Sequence, residues 1–171
     1  MLLNSLRDNE IIKEGNFTLK SGLSSKYYVD IKKTFSIPQI NREINQLFFF
    51  KIKEIKNIKE FSVVGVPYSG IPYASNIAYH FSIPQLLLRN ERKVYGTKNI
   101  IEGETNNKSI ILIEDVISTG SSIMETLKIL EENGYKVKYI FSVINRKDIN
   151  KEIFLEEIKK NNINWINLLE L

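Results

Sequence analysis

The stretch "IILIEDVISTGSS", residues 110–122, decides how this chain folds and points to what it binds. Its apolar start predicts a strand that is buried on both faces, as in a parallel sheet. Two acids, Glu114 and Asp115, come next, and a run of small and hydroxylic residues follows them. A helix is expected to start near Ser122, because Ser122-Ile123-Met124-Glu125 has the spacing of a capping box. The stretch therefore predicts a strand, a turn and a helix.

The same alternation of strands and helices continues on both sides of this stretch. The hydrophobic patterns predict strands at residues 17–19, 27–31, 61–66, 84–89, 109–114 and 135–144. They predict helices at residues 38–56, at 70–81 and from 122 to the glycine at 134. This alternation indicates an α/β fold with a parallel sheet and right-handed crossovers. The polar segment 90–107 has no clean period, so we expect a long loop there that is either functional or disordered.

The composition limits the possible classes of protein. A chain of 171 residues is long enough for one domain and short for two, so we expect a single domain over residues 1–171. A net charge of +4 without a dense basic stretch favours a solvated surface over a nucleic-acid interface. The absence of cysteine excludes disulfides and permits a cytoplasmic location. No apolar window approaches a membrane span, and charges at Arg7, Asp8 and Glu10 argue against a signal peptide.

The acidic pair and the turn after it form a candidate ligand site. In an open parallel sheet, ligands bind beyond the carboxyl ends of the strands, where Glu114 and Asp115 are expected to lie. The following helix N-terminus favours a phosphate, and the hydroxyl groups of residues 118–122 would add donors. Carboxylates can accept hydrogen bonds from the vicinal hydroxyl groups of a ribose, so the two parts together predict a ribose phosphate. The simpler alternative is a capped helix whose neighbouring acids only face water.

Four stretches carry a resemblance to a known family. "ILIEDVISTGSS" resembles the signature of the type I phosphoribosyltransferases, whose acidic pair and loop bind phosphoribosyl pyrophosphate. "FTLKSGLSSKYYVD" (17–30), "GVPYSGIPYAS" (65–75) and "LLLRNERKVYGTKNIIEGE" (86–104) resemble segments of the orotate phosphoribosyltransferases. Together with "SVINR" (142–146), they are most similar to the form found in the bifunctional enzyme that makes uridine monophosphate. The resemblance implies the type I phosphoribosyltransferase fold: a central, mostly parallel sheet flanked by helices, with a small N-terminal hood formed by residues 1–35.

The resemblance also implies a reaction. Ribose phosphate would pass from phosphoribosyl pyrophosphate to orotate, giving orotidine monophosphate and pyrophosphate as a step of pyrimidine synthesis. Mg²⁺ is the implied cofactor; it would bind the pyrophosphate rather than a cluster of protein ligands, with Asp115 as the candidate neighbouring group. Residues 93–107 would form a mobile flap that closes over the site. The implied assembly is a homodimer with shared active sites, with small molecules as substrates and no nucleic acid or membrane as partner.

Site roles are implied residue by residue. The implied catalytic residues are Lys93, Arg89, Asp115 and Tyr95. Glu114 and Asp115 would hold the ribose hydroxyl groups, and the terminal phosphate would lie against Val116, Ile117, Ser118, Thr119, Gly120, Ser121 and Ser122. The pyrophosphate would meet Tyr68 and Ser69 as well as Arg89, Arg92 and Lys93. Orotate would be held by Lys20 and Arg146, with the aromatic pair Tyr27 and Tyr28 beside it.

Two positions depart from the family pattern and keep alternatives open. Asn90 stands where the family usually has a lysine, and Asn145 stands where an acid usually precedes the arginine. These changes bear on the turnover rate and on the orotate contacts. The alternatives are a purine-base phosphoribosyltransferase and a homologue that has lost catalysis and serves in regulation or RNA binding.

Overall fold

The structure, a computed structural model, describes residues 2–19, 22–89 and 100–171. The helices α1 to α5 span Leu2–Asp8, Pro38–Ile52, Gly70–Phe81, Ser121–Glu132 and Glu152–Lys160. The strands β1 to β8 span Ile12–Thr18, Ser24–Val29, Phe61–Gly65, Gln85–Leu88, Ile101–Glu102, Ser109–Ile117, Lys136–Asn145 and Asn164–Glu170. Each helix in the described parts of the chain is too short or too polar to span a bilayer.

A six-stranded sheet forms the centre of the molecule, in the order β5-β4-β3-β6-β7-β8. All neighbouring pairs are parallel except β4 and β5, which are antiparallel. The mostly parallel sheet predicted from the sequence is therefore confirmed. Because β3, β6 and β7 are parallel, their carboxyl ends lie at the same edge of the sheet, and β4 ends there too.

Alternate side chains of β6 enter two hydrophobic cores, one on each face of the sheet. Ile111 and Ile113 pack in the core formed with α1, α2 and α3. Ile110 and Leu112 pack in the core formed with α4 and α5. All four side chains are fully buried. The apolar run that opens the quoted stretch is thus explained by burial on both faces.

The N-terminal part forms a separate two-stranded layer. Strands β1 and β2 make an antiparallel hairpin whose register shifts between Glu14 and Phe17. Strand β1 begins earlier than the hydrophobic pattern indicates, because residues 12–14 pair with Val29, Tyr28 and Tyr27, and β2 begins earlier because Ser24 and Ser25 pair with residues 18 and 17. The hood proposed for residues 1–35 corresponds to α1, this hairpin and the turn of 3-10 helix at Ile31–Ser36.

Several boundaries differ from the sequence prediction. Helix α2 ends at Ile52 rather than at residue 56. The loop predicted at 90–107 contains β5, which pairs with β4, and residues 90–99 lie outside the described part. Helix α5 and strand β8 were not predicted, and β8 extends the sheet beside β7.

Candidate active site

The acidic pair lies at the carboxyl end of β6, and its two members have different surroundings. Glu114 is 6% exposed, whereas Asp115 is half-buried. The Asp115 amide donates to Oε1 of Glu114 over 2.8 Å, and the Val116 amide donates to Oδ1 of Asp115 over 2.7 Å. These bonds hold both carboxyl groups close to the main chain at the point where the strand ends.

Burial shifts the pKa of the Glu114 carboxyl group. Desolvation raises its pKa well above the ordinary value of 4.5, and a hydrogen bond with Asp115 and the charge of Asp115 raise it further. The buried side chain of Tyr73 lies within the electrostatic range of Asp115, and burial raises the pKa of its phenol too. Burial next to the charge of Asp115 therefore favours the protonated form of Glu114 relative to an exposed carboxyl group.

Directly after the pair, the chain lines a small pocket. The pocket measures about 120 Å³ and is lined by Glu114 and residues 116–123. Helix α4 begins at Ser121, so its first backbone amides lie at this pocket. The hydroxyl groups of Thr119 and Ser121 are 2.7 Å apart and exposed. Free amides, a helix N-terminus and hydroxyl groups together make a site suited to a phosphate.

The predicted capping box at Ser122 is wrong. The residue that caps α4 is Gly120, in the left-handed conformation with φ of 83°, and no side chain caps the helix. A Cβ atom on Gly120 would lie 2.5 Å from Cγ of Phe154, so α5 packs directly over this turn. Ser122 thus lies inside the first turn of α4, where its side chain is exposed.

The loop after β3 packs tightly against the end of β6. The Val66 amide donates to the Ile113 carbonyl over 2.8 Å, and a Cβ atom on Gly70 would lie 2.3 Å from the same oxygen. A Cβ atom on Gly65 would lie 2.5 Å from the backbone of Gly70. Only glycine fits at these two positions. The loop carries Tyr68, which is 71% exposed, and Ser69, which is buried.

Arg89 lies at the end of β4 and already has a partner. Its Nε donates to Oε1 of Glu102 on β5 over 2.7 Å, and both side chains are partly exposed. Downstream, Asn107 donates to the carbonyls of Lys59 and Phe61, and the Ser62 and Thr105 hydroxyl groups are 3.0 Å apart. Residues 101–107 of the proposed flap are thus attached to the sheet.

Four predicted site residues lie outside the described residues. They are Lys20, Arg92, Lys93 and Tyr95. The expected positions of these side chains stay predictions, as does the closure of the flap.

The hairpin presents its two tyrosines on opposite faces, since neighbouring side chains of a strand alternate. Tyr27 is partly buried and packs against the core on the α2 side of the sheet. Tyr28 is 46% exposed, and its ring centroid lies 5.6 Å from that of Phe17. The aromatic pair is therefore split between the interior and the surface.

Arg146 follows β7 and is 4% exposed. Its Nη1 donates to Oγ of Ser25 over 2.6 Å and to the Tyr27 carbonyl over 2.8 Å. Its amide donates to the Ile117 carbonyl over 2.9 Å, which places it beside the end of β6. Burial lowers the pKa of the guanidinium, while the charge of Asp148 acts in the opposite direction. Arg146 thus links the hairpin to the edge of the sheet where the acidic pair lies.

The structure brings most of the described candidates to one edge of the sheet. Residues predicted to act together follow β3, β4, β6 and β7, and the hairpin reaches the same edge through Arg146. Sequence reasoning missed Tyr73, Ser25 and Asp148, which contact or influence the predicted residues. Only the alternation of buried and exposed side chains along β2 could have indicated that Ser25 is buried.

The carboxyl groups of the acidic pair are the candidate protein ligands for a magnesium ion. Within residues 2–19, 22–89 and 100–171, no cluster of three or more Asp, Glu, His or Cys side chains could hold a metal ion. Glu114 and Asp115 nevertheless offer oxygen ligands, and Mg²⁺ binds through one or two carboxylates together with substrate phosphates and water. The pair fits an ion that arrives with a phosphorylated substrate.

Known proteins resemble this chain in sequence and in fold. Residues 31–168 match the model of the phosphoribosyl transferase domain. The orotate phosphoribosyltransferase of Methanosphaera stadtmanae is 35% identical over 171 residues, covering 99% of this chain and 92% of that protein. The uridine 5'-monophosphate synthase of Bos taurus is 40% identical over 147 residues, 85% of this chain and 30% of the bovine protein. The crystal structure of orotate phosphoribosyltransferase from Aeropyrum pernix aligns with a TM-score of 0.78 and 25% identity, covering 100% of this chain and 94% of that one.

The resemblance seen in the quoted stretches is therefore confirmed over most of the chain. The mostly parallel sheet flanked by helices agrees with the family match. The chain belongs to the orotate phosphoribosyltransferases, a family of pentosyl-transferring enzymes.

Proposed function

We propose that this chain transfers ribose phosphate from phosphoribosyl pyrophosphate to a ring nitrogen of orotate, giving orotidine monophosphate and pyrophosphate. The observation that carries the proposal is the acidic pair at the end of β6 beside the pocket lined by residues 116–123. A ribose against the carboxyl groups would place its 5'-phosphate at the N-terminus of α4. This arrangement orients the anomeric carbon toward the edge where the hairpin and Arg146 lie.

The transition state of such a transfer resembles an oxocarbenium ion with a departing, highly charged pyrophosphate. The protein does little covalent work, and its contribution is to position the groups and to stabilise developing charge. Asp115 would lie beside a magnesium ion that arrives with the pyrophosphate, and such an ion would neutralise charge on the leaving group. Glu114 and Asp115 bind the ribose hydroxyl groups through their carboxyl oxygens. Tyr68, Ser69 and Arg89 line the leaving-group side.

At the base site, Arg146 and Lys20 complement the anionic ring of orotate. An arginine fork can donate parallel hydrogen bonds to a carboxylate, which a neutral base such as uracil lacks. Lys93 and Tyr95, on the flap, would complete the site when it closes over the substrates. The expected location is the cytoplasm, which a chain without cysteine permits.

A spectrophotometric assay tests the proposal. Orotate, uracil and hypoxanthine are each mixed with phosphoribosyl pyrophosphate, Mg²⁺ and the full chain. We expect only orotate to be consumed. In the same assay Asp115→Asn should lower kcat/KM by about 100-fold, a typical loss when a preorganised charged group is removed. Asp8→Asn, an exposed control on α1, should leave the rate unchanged.

Two outcomes would contradict the proposal. Consumption of hypoxanthine but not orotate would indicate a purine-base transferase. No consumption of any base, with phosphoribosyl pyrophosphate still bound, would indicate a homologue that has lost catalysis.

We also infer a homodimer with shared active sites. Exposed aromatic side chains on neighbouring helices support it: Phe50 on α2 is 57% exposed and Tyr79 on α3 is 90% exposed. Large exposed apolar groups on adjacent elements are typical of a protein interface.

A further inference from the structure

A polar network joins the predicted orotate residues to a loop that no motif singled out. The network consists of Ser25 on β2 and of Arg146, Asp148 and Lys151 after β7. Ser25 is 5% exposed and Arg146 is 4% exposed, so both lie inside, whereas Asp148 reaches them from the exposed loop. The contacts join residues more than 120 positions apart in the sequence.

The hydroxyl group of Ser25 is the centre of the network. An arginine can only donate, so Oγ of Ser25 must accept from Nη1 of Arg146 over 2.6 Å. The Tyr27 amide also donates to this oxygen, over 3.1 Å. Because the oxygen accepts from both neighbours, its single proton must point to an acceptor.

Two acceptors compete for that proton. Oδ2 of Asp148 lies 2.8 Å from Oγ of Ser25, and the Tyr27 carbonyl lies 3.0 Å from it. The carboxylate is closer and is the stronger acceptor, and the Tyr27 carbonyl already accepts from Arg146. Asp148 therefore sets the direction of the Ser25 hydroxyl group, and thereby leaves the oxygen lone pairs free for Arg146.

Asp148 also holds the main chain of β2. Its Oδ2 accepts from the Lys26 amide over 3.2 Å, so one carboxylate oxygen contacts two successive residues of the strand. The loop that carries Asp148 is itself fixed, since Nζ of Lys151 donates to the carbonyls of Arg146 and Ile149. The next residues of β2 are the tyrosines 27 and 28.

We propose that Asp148 is a positioning residue for the base site: through Ser25 it orients the Arg146 guanidinium and fixes the β2 segment that carries Tyr27 and Tyr28. The inference rests on the proposed function, in which Arg146 and these tyrosines hold orotate. Without Asp148, the Ser25 proton turns to the Tyr27 carbonyl and competes there with Arg146. The guanidinium then loses its fixed direction, while the ribose-phosphate pocket at residues 116–123 is unaffected.

Steady-state kinetics with the full chain test the proposal, with each substrate varied while the other is saturating. Asp148→Ala and Ser25→Ala should each raise KM for orotate by about tenfold, the size of one hydrogen bond to a charged group. KM for phosphoribosyl pyrophosphate should stay at the wild-type value in both variants, and the thermal midpoint should stay there in Asp148→Ala, because the side chain of Asp148 is exposed. Asp148→Asn keeps an acceptor oxygen for Ser25 and should give a smaller increase. Asp8→Ala, a matched change of an exposed aspartate, should have no effect.

A double variant adds a check on the mechanism. If Asp148 acts through Ser25, the combined variant should be no worse than the worse single variant, because both changes break the same connection. Wild-type KM for orotate in both single variants, or a parallel change in both KM values and the thermal midpoint, would overturn the inference alone. A wild-type chain that leaves orotate unchanged would overturn the proposed function and the inference together.

Discussion

At the end of β6, two adjacent acidic residues differ in how deeply their side chains are buried. Glu114 is buried between the strand and its neighbours, while Asp115 keeps contact with solvent. The sequence predicted the pair and its place, because an apolar run followed by acids marks the end of a buried strand. It could not predict the unequal burial, since the elements that cover the two faces of β6 come from distant parts of the sequence.

Replacing Glu114 by glutamine should change how stability depends on pH. The folded-state pKa of Glu114 is raised, so its contribution to stability is full below the ordinary value of 4.5 and is lost as pH rises through the raised value. Glutamine mimics the protonated form at every pH. The free energy of unfolding of Glu114→Gln relative to wild type should therefore increase with pH, by at most about 1.4 kcal/mol per pH unit.

Urea denaturation of the ligand-free chain at a series of pH values, beginning near the ordinary carboxyl pKa and rising from there, measures this difference. Glu125→Gln, on the exposed side of α4, is a control that should show no such trend. A difference that stays constant across the pH series would contradict the raised pKa of buried Glu114.

Arg146 is a second residue whose burial could not be predicted from the sequence. Resemblance of "SVINR" indicated its role, but an arginine at a strand end is ordinarily a surface residue. Its burial follows from Ser25, which lies 121 positions away and is brought near only by the folded hairpin. No local pattern in the sequence can predict a contact between residues so far apart.

At the scale of elements, the turn into α4 shows where local rules fail. The spacing of residues 122–125 fits a capping box, but α5 packs Phe154 over Gly120, and the left-handed glycine ends the turn instead. The sequence did not indicate α5, so it gave no sign of this contact. The glycine at the C-terminal end of the same helix was predicted correctly, because Gly134 has a φ of 79° just after α4.

These two glycines allow a matched comparison. Both have positive φ, but a Cβ atom at Gly134 would meet nothing within 4 Å, whereas one at Gly120 would meet Phe154. Gly134→Ala should cost about 1 kcal/mol of stability through backbone strain alone. Gly120→Ala should cost about 3 kcal/mol, because Phe154 must also shift. Denaturant titration of both variants measures the difference, and equal losses would contradict the packing of α5 over the turn.

At the scale of the whole molecule, the parallel sheet accounts for how distant segments form one site. Parallel strands bring the carboxyl ends of β3, β6 and β7 to one edge, so motifs spread over residues 65–146 meet there. The shared edge could be predicted from the alternation of strands and helices in the sequence. The placement of the hood could not be predicted, because its buried side chains, such as Leu6 and Ile12, and the contacts of Arg146 with the hairpin join segments that are far apart in the sequence.

The proposed dimer also belongs to this scale. Light scattering should give twice the mass of the 171-residue chain at assay concentrations. Tyr79→Glu would place a charge at the proposed interface and should shift the mass toward the monomer, with a parallel loss of activity if sites are shared. A fully active monomer would contradict the assembly.

The most direct measurement is a crystal structure of the chain with orotidine monophosphate. We expect the phosphate in the pocket of residues 116–123 at the start of α4, with the ribose hydroxyl groups within hydrogen-bonding distance of Glu114 and Asp115. Nucleotide bound elsewhere, with this pocket empty at saturating ligand, would contradict the assignment of the pair and the pocket to ribose phosphate.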